Sequence, residues 1–378
     1  MPIPWRIVFL AGVLALGGTD ASAQPAATDS ARRPARHWTQ VGERDTTRVP
    51  YRGLDYGSEA TFSPATVMLN KGFDVFEIDG YRRLWSFPAG ATWTRVTRQV
   101  FTHPGATITR YGGWRRWVRL EILPVDWAKD SANWVPNYLE HLIGGGITMR
   151  MLDQWYRERG VPLPRLWAMV TTYAASVANE LAEARGDTIA DGASTADLLV
   201  FDLAAVTLFH WDQPMRFLTQ TLEAADWSDQ ASFSFPNQKL INNGQYISLK
   251  IPVGLERWRL FTRLGLSGQS GISWKRNDSD HVSVALGADT YARFVDHTGH
   301  ETVTFRPSGG IYYDRNNSLL WSVRMSQTEN AVTVNVYPGV LPGAVRDFGV
   351  WAAATAHRQL SVGVTHRRAL GLGMGLGW

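Results

Sequence analysis

From about Gln238 onward, apolar and polar residues alternate with a period of two, the signature of a strand with unlike faces. Ile247, Leu249, Ile251 and Val253 alternate with Ser248, Lys250 and Pro252, and Val282, Val284, Leu286 and Ala288 with Ser283, Ala285, Gly287 and Asp289. Val332, Val334 and Val336 alternate with Thr333, Asn335 and Tyr337, and Leu360, Val362 and Val364 with Ser361, Gly363 and Thr365. Turn formers separate these runs at Asn277-Asp278, His297-Thr298-Gly299, Asn316-Asn317 and Pro342-Gly343. In the final run Leu370, Leu372, Met374, Leu376 and Trp378 share one face and Gly371, Gly373, Gly375 and Gly377 the other. A row without side chains suits the tight interior of a barrel. The pattern predicts about nine strands after Gln245. One more from before the helices would bring an antiparallel, outer-membrane-type β-barrel to about ten, within a range of eight to twelve.

A different period governs residues 133–225. Apolar-periodic runs at Pro136–Glu158, Pro164–Ala184 and Thr195–Phe209, separated by Gly160-Val161-Pro162 and a polar loop at 185–193, predict a three-helix insertion. Ser194 followed by Asp197 predicts a capped start for the third helix. Residues 51–132 mix aromatic clusters with short alternating pieces around Thr92–Phe101 and Trp114–Ile122, read as one or two first strands or as amphipathic segments. Residues 238–378 form the predicted barrel.

Composition fits this division. The apolar run Ile7–Leu16 behind Arg6, followed by Ala21, Ser22 and Ala23, predicts an export signal over residues 1–23. Residues 24–50, rich in Ala, Pro, Arg, Ser and Thr, predict a flexible leader. The absence of cysteine excludes disulfides and thiolate metal sites. A mean hydropathy of −0.19 is compatible with a barrel, which spreads its apolar residues over alternate positions. The 17 tryptophans suit the interfacial girdles of such barrels. A net charge of +4, without a basic run, argues against a nucleic-acid partner. The expected surroundings are outer-membrane lipid and the barrel assembly machinery, for a monomer without a cofactor.

Candidate chemistry lies in the helical runs. His141, Glu180 and Asp202 sit on three separate runs and bring an imidazole and two carboxylates that could activate water or ligate a metal. The alternative reading is structural, with His141 hydrogen-bonded between helices, and no metal site is assigned. Glu180 and Asp202 stand in apolar runs, so each is expected to pair with His141, with Arg150 or with the other. Gly144 to Gly146 predict close helix contact, because the Gly-Lys-Ser/Thr ending of a phosphate loop is missing. In the barrel, Arg263, Asp289, Arg293 and Arg324, with Tyr291, Arg306 and Tyr312, are predicted to face inward as a salt-bridged filling or a hydrophilic binding surface.

His141-x-x-Gly144-Gly145, Glu180 and Ser194-x-x-Asp197-Leu198 together resemble the helical unit of uncharacterised bacterial envelope proteins, some with a following barrel. They resemble VanZ-like membrane proteins more distantly. The resemblance covers roughly residues 133–209 and points to His141, Gly144, Gly145, Glu180, Ser194 and Asp197. Many relatives carry Asn or a similar polar residue one turn after that Asp, where this chain has Phe201 with Asp202 beside it. The resemblance implies a packed helical unit rather than a reaction. The function expected is a structural or binding role at the cell envelope. The alternatives are a lipid-modifying hydrolase using His141 with Glu180 or Asp202, and a narrow transport pore.

Overall fold

The structure is a computed structural model that describes residues 50–79, 87–123, 135–184, 192–295, 301–328, 330–357 and 359–377. The expected signal at 1–23, nearly all of the leader, the turn His297-Thr298-Gly299 and Trp378 lie outside these residues. The chain is mainly β, with one 13-stranded sheet beside a set of helices.

Three short strands come first: β1 (Ala225–Asp226), β2 (Ser232–Ser234) and β3 (Lys239–Ile241). Ten longer ones follow in an antiparallel meander: β4 (Tyr246–Pro252), β5 (Trp258–Gly265), β6 (Ser267–Lys275), β7 (Asp280–Val295), β8 (Glu301–Arg315), β9 (Ser318–Ser326), β10 (Asn330–Val336), β11 (Phe348–Thr355), β12 (Leu360–His366) and β13 (Gly373–Gly377). The sheet order is β1-β4-β5-β6-β7-β8-β9-β10-β11-β12-β13-β2-β3, and only the β13–β2 pairing is parallel.

Pairing does not close the sheet, since β1 and β3 remain its edges. Yet β1 pairs with β4 at one side and β2 with β13 at the other, and only residues 227–231 separate β1 from β2. A linker that short spans at most about 20 Å, so the sheet must curl until its two sides approach. The linker crosses the concave face. Trp227 packs on Phe261 and Tyr312 and donates to the Asn317 carbonyl, and Gln230 accepts from Thr365 and contacts Asn335.

The expected strand pattern needs correction at both ends. The pieces at Thr92–Phe101 and Trp114–Ile122 are helical, as α-helix Ala89–Val96 running into a π-helical Thr97–Thr102, and Trp114–Trp117 into Val118–Ile122. The described residues of 51–132 therefore contribute no strand, and the strands beyond the predicted nine come from 225–241 and from the meander itself. At the other end β13 is shorter than its alternation, because Leu370 turns through a left-handed conformation, φ 56°. The glycine row does make room on the inner face: a Cβ on Gly375 would meet the Ile241 side chain at 2.7 Å and the Trp351 ring at 3.1 Å, and one on Gly373 would meet the Ser232 hydroxyl at 2.3 Å. The Asn316-Asn317 turn follows its prediction, with φ of 50° and 60°, the paired left-handed geometry of a two-residue hairpin.

Helices number more than the three expected. We label those used below α1 (Pro64–Gly72), α2 (Gly145–Glu158), α3 (Pro164–Glu183) and α4 (Asp202–Leu208). A π-helical Val135–Gly144 runs directly into α2, and Gly192–Ala196 with π-helical Asp197–Phe201 runs directly into α4. Ile147, Met149, Met151 and Leu152 of α2 pack with Ala168 and Ala175 of α3 in the main helical core, which also takes in Ile247 of β4. Ser194, expected as a cap, lies within the Gly192–Ala196 helix. Before α1, Asp55 pairs with Arg346 and Arg367, Gly57 donates to the Pro338 carbonyl and Ser63 donates to the Leu370 carbonyl. This segment thus fastens the β10–β11 and β12–β13 connections at one rim of the sheet.

Candidate functional site

Two of three consecutive glycines, Gly145 and Gly146, let α2 come close to α4 and to Phe209 just beyond it. A Cβ on Gly146 would stand 2.2 Å from the Phe209 ring, and one on Gly145 would lie 3.4 Å from Ala205 and 3.7 Å from the Asp202 carboxylate. The close approach sets Asp202 against His141, whose Nδ1 lies 3.3 Å from both carboxylate oxygens. From α3, the Ser176 hydroxyl donates to Asp202 Oδ1 at 2.9 Å. On the other side of the imidazole, Nε2 is 4.0 Å from Asp197 Oδ2. Glu180 completes the group: one ligand atom each from His141, Glu180 and Asp197 lie within 4.8 Å of one another. All five residues, His141, Ser176, Glu180, Asp197 and Asp202, are buried.

The electrostatics divide the two aspartates. Burial raises the Asp202 carboxyl, but the neighbouring His141, Lys71 and the Ser176 hydroxyl outweigh it, and the net shift is below the usual range. Asp197 is pushed well above that range by burial first and then by the carboxylates of Glu180, Glu121, Asp202 and Glu183. Opposite shifts on two acids flanking one imidazole mark a polarised cluster. Burial also raises the Tyr173 hydroxyl, with Asp202 adding to the effect.

The sequence-derived trio is brought together, while Arg150 pairs with Asp212 at 2.5 Å. Asp197, expected at a helix start, faces His141 from a π-helical turn. The signal that could have found Ser176 is a polar stripe along α3. Thr172, Ser176, Asn179, Glu180 and Glu183 recur at helical spacing among alanines and other apolar residues, and the first four are buried. Compared with protein-family models, with curated proteins and with solved structures, the chain matches none.

Of the inward-facing sheet candidates, Arg263 and Arg324 converge on Asp229 at 3.5 and 2.6 Å, and Arg263 stacks on the Tyr246 ring. Asp289 joins Arg324, Arg306 and Tyr291 around a cleft of about 710 Å³ that Glu77, soon after α1, also lines. Arg293 pairs through its backbone with Val303, and its side chain lies outside the described residues. Tyr312 is buried beneath Trp227, whereas Tyr291 is exposed with the Arg306 guanidinium over its ring. Sequence reasoning did not anticipate that residues 227–231 would supply the counter-charge to these arginines.

Proposed function

We propose that this chain is an outer-membrane β-barrel protein of the cell envelope, with the curled sheet set in lipid and the helical unit at its β4 side carrying the chemistry. The observation that supports this is the inverted sheet. Leu260, Ile272, Val284, Leu286, Phe305, Ile311 and Met374 are exposed on the convex face, Leu286 by 76%. On the concave face Lys250, Arg263, Gln269, Ser273, Ser283, Asp314 and Asn335 are buried. In water this arrangement wastes the apolar side chains; in a bilayer it is the expected one. No single helix among the described residues is long and apolar enough to cross a membrane, which bears on helices alone. The resemblance of the helical runs to envelope proteins agrees with this reading.

The filled concave face argues against the narrow-pore alternative. Contact of His141 with Asp202, beside Glu180 and Asp197, favours a second reading, a hydrolase at the envelope that acts through this cluster.

The membrane reading is testable without background labelling because the chain has no cysteine. Spin labels on Ile272→Cys, Leu286→Cys and Met374→Cys in reconstituted vesicles are expected to be reached by oxygen and shielded from a water-soluble nickel chelate. Labels on Ser283→Cys and Ser273→Cys are expected to show no lipid exposure. Convex-face labels quenched freely by the chelate would sink the proposal, as would a gel mobility that does not change with heating.

A further inference from the structure

We propose that His141 Nε2, Glu180 and Asp197 form a binding site for one divalent first-row transition ion, Zn²⁺ or Mn²⁺, with Asp202 orienting the imidazole from its far side. The inference is independent of the membrane reading, since it rests on the helical cluster alone.

Three observations converge on it. First, donors from three separate helical pieces meet: His141 from Val135–Gly144, Glu180 from α3 and Asp197 from Asp197–Phe201. Their ligand atoms lie within 4.8 Å of one another. Donors bound to one ion at about 2.0–2.1 Å stand roughly 3.3 Å apart in tetrahedral geometry, so closure needs shifts of only about an ångström. Two of the three donors sit on π-helical turns, a local widening that recurs at functional sites.

Second, Asp197 Oδ1 is buried without a hydrogen-bond partner in a residue only 7% exposed, and its sister oxygen faces the imidazole. An oxygen removed from water and left unmatched is costly, and a cation is the partner that the surrounding acids permit. A divalent ion would bring positive charge to a buried group that holds the acids Glu180, Asp197 and Asp202.

Third, the second sphere is already built. Metal-binding histidines almost always give their other nitrogen to a carboxylate or carbonyl, which fixes tautomer and ring orientation. Here Nδ1 faces Asp202, and Asp202 is held by the Ser176 hydroxyl. One imidazole with two carboxylates suits ions of intermediate hardness, hence Zn²⁺ or Mn²⁺ rather than Cu⁺ or Ca²⁺.

The test uses the full chain in detergent, stripped with EDTA and then titrated with Zn²⁺ and with Mn²⁺ by calorimetry, and metal content is measured after dialysis. One ion per chain is expected. Asp197→Asn and Glu180→Gln, which keep shape and remove charge, should each weaken binding at least tenfold. Asp202→Asn should weaken it by about 10–100-fold. His210→Ala, at an exposed histidine outside the cluster, should leave binding unchanged. X-ray absorption on the zinc-loaded wild type needs no variant and should show one nitrogen-ring scatterer with oxygen donors at about 2.0–2.1 Å. Failure of the wild type to take up either ion overturns the proposal. So does uptake that His210→Ala abolishes and Asp197→Asn retains, or a zinc site whose absorption spectrum lacks an imidazole.

Discussion

At Gly146 the site depends on an atom that is missing. The Phe209 ring occupies the place of a Cβ, so Gly146→Ala must separate α2 from α4 or twist the ring. We expect a cost of about 1–3 kcal/mol, read as a lowered unfolding midpoint and largely relieved by the smaller side chain of Phe209→Leu in the same chain. Asp74 offers a test through pH. Desolvation, then Glu140 and Glu183, hold its carboxyl well above the usual range despite Lys71. The unfolded chain releases that proton near pH 4, whereas the folded chain keeps it to higher pH. The folded state then binds more protons over this window, so stability falls as pH rises from about 4 toward the raised value. Asp74→Asn retains an oxygen for the Val75 amide and Asn179 and removes the charge. Its unfolding midpoint is expected to exceed the wild type's at pH 8 and to match it below pH 4. A constant difference across that range would count against the assignment. At this scale the sequence was partly legible. His141, Glu180 and Asp202 could be singled out because an acid or imidazole in an apolar run needs a partner. The place of Asp197 beside His141 was hidden, because the same Asp three residues after Ser194 reads as a helix-start signal until the turns before it are known to be helical.

Among the elements, the periods of two and 3.6 separated meander from helices well, and the three helical runs lie within a few residues of their prediction. What failed was local alternation with little length behind it. Nine residues with mixed aromatics, such as Trp114–Ile122, fit either period, and burial against Ala196 and Phe201 settled them as helix. The two- and three-residue strands β1 and β2 carry no periodicity at all, yet they decide how the sheet's sides approach. The pairing of elements also carries buried charge. Lys250 of β4 meets Asp314 of β8 at 2.6 Å, both side chains wholly buried, with the Lys250 ammonium over the Trp227 ring. Removing one partner strands the other, so Lys250→Met alone is expected to cost about 3–5 kcal/mol. The double variant Lys250→Met/Asp314→Leu should recover most of this loss. A double-mutant cycle on heat-modifiable mobility, run against temperature, reads the coupling, and simple additivity would show that the two strands are not joined through this pair.

For the whole molecule, the deciding property is which side of the sheet faces outward. The sequence showed that each strand has an apolar and a polar face but not which one is buried, because a two-sheet sandwich would hide the apolar side. The curl decides it: Trp227, Asp229 and Gln230 lie on the concave face among Arg263, Arg324 and Asn335, and the apolar rows point outward. That choice predicts an asymmetry between neighbours in one strand. Leu286 and Ser283 both belong to β7, one exposed on the convex face and the other buried on the concave face. If the proposed membrane location holds, Leu286→Arg places a charge in hydrocarbon and costs about 2–4 kcal/mol near the bilayer midplane, and less toward the rims. Folding yield into vesicles should fall accordingly. In a water-exposed sheet the same change would be nearly neutral and would improve solubility. Leu286→Asn separates charge from lost apolar contact, since it should cost less than arginine in a bilayer and about the same in water. A Leu286→Arg chain that folds into vesicles as efficiently as the wild type would mean that the convex face does not contact lipid.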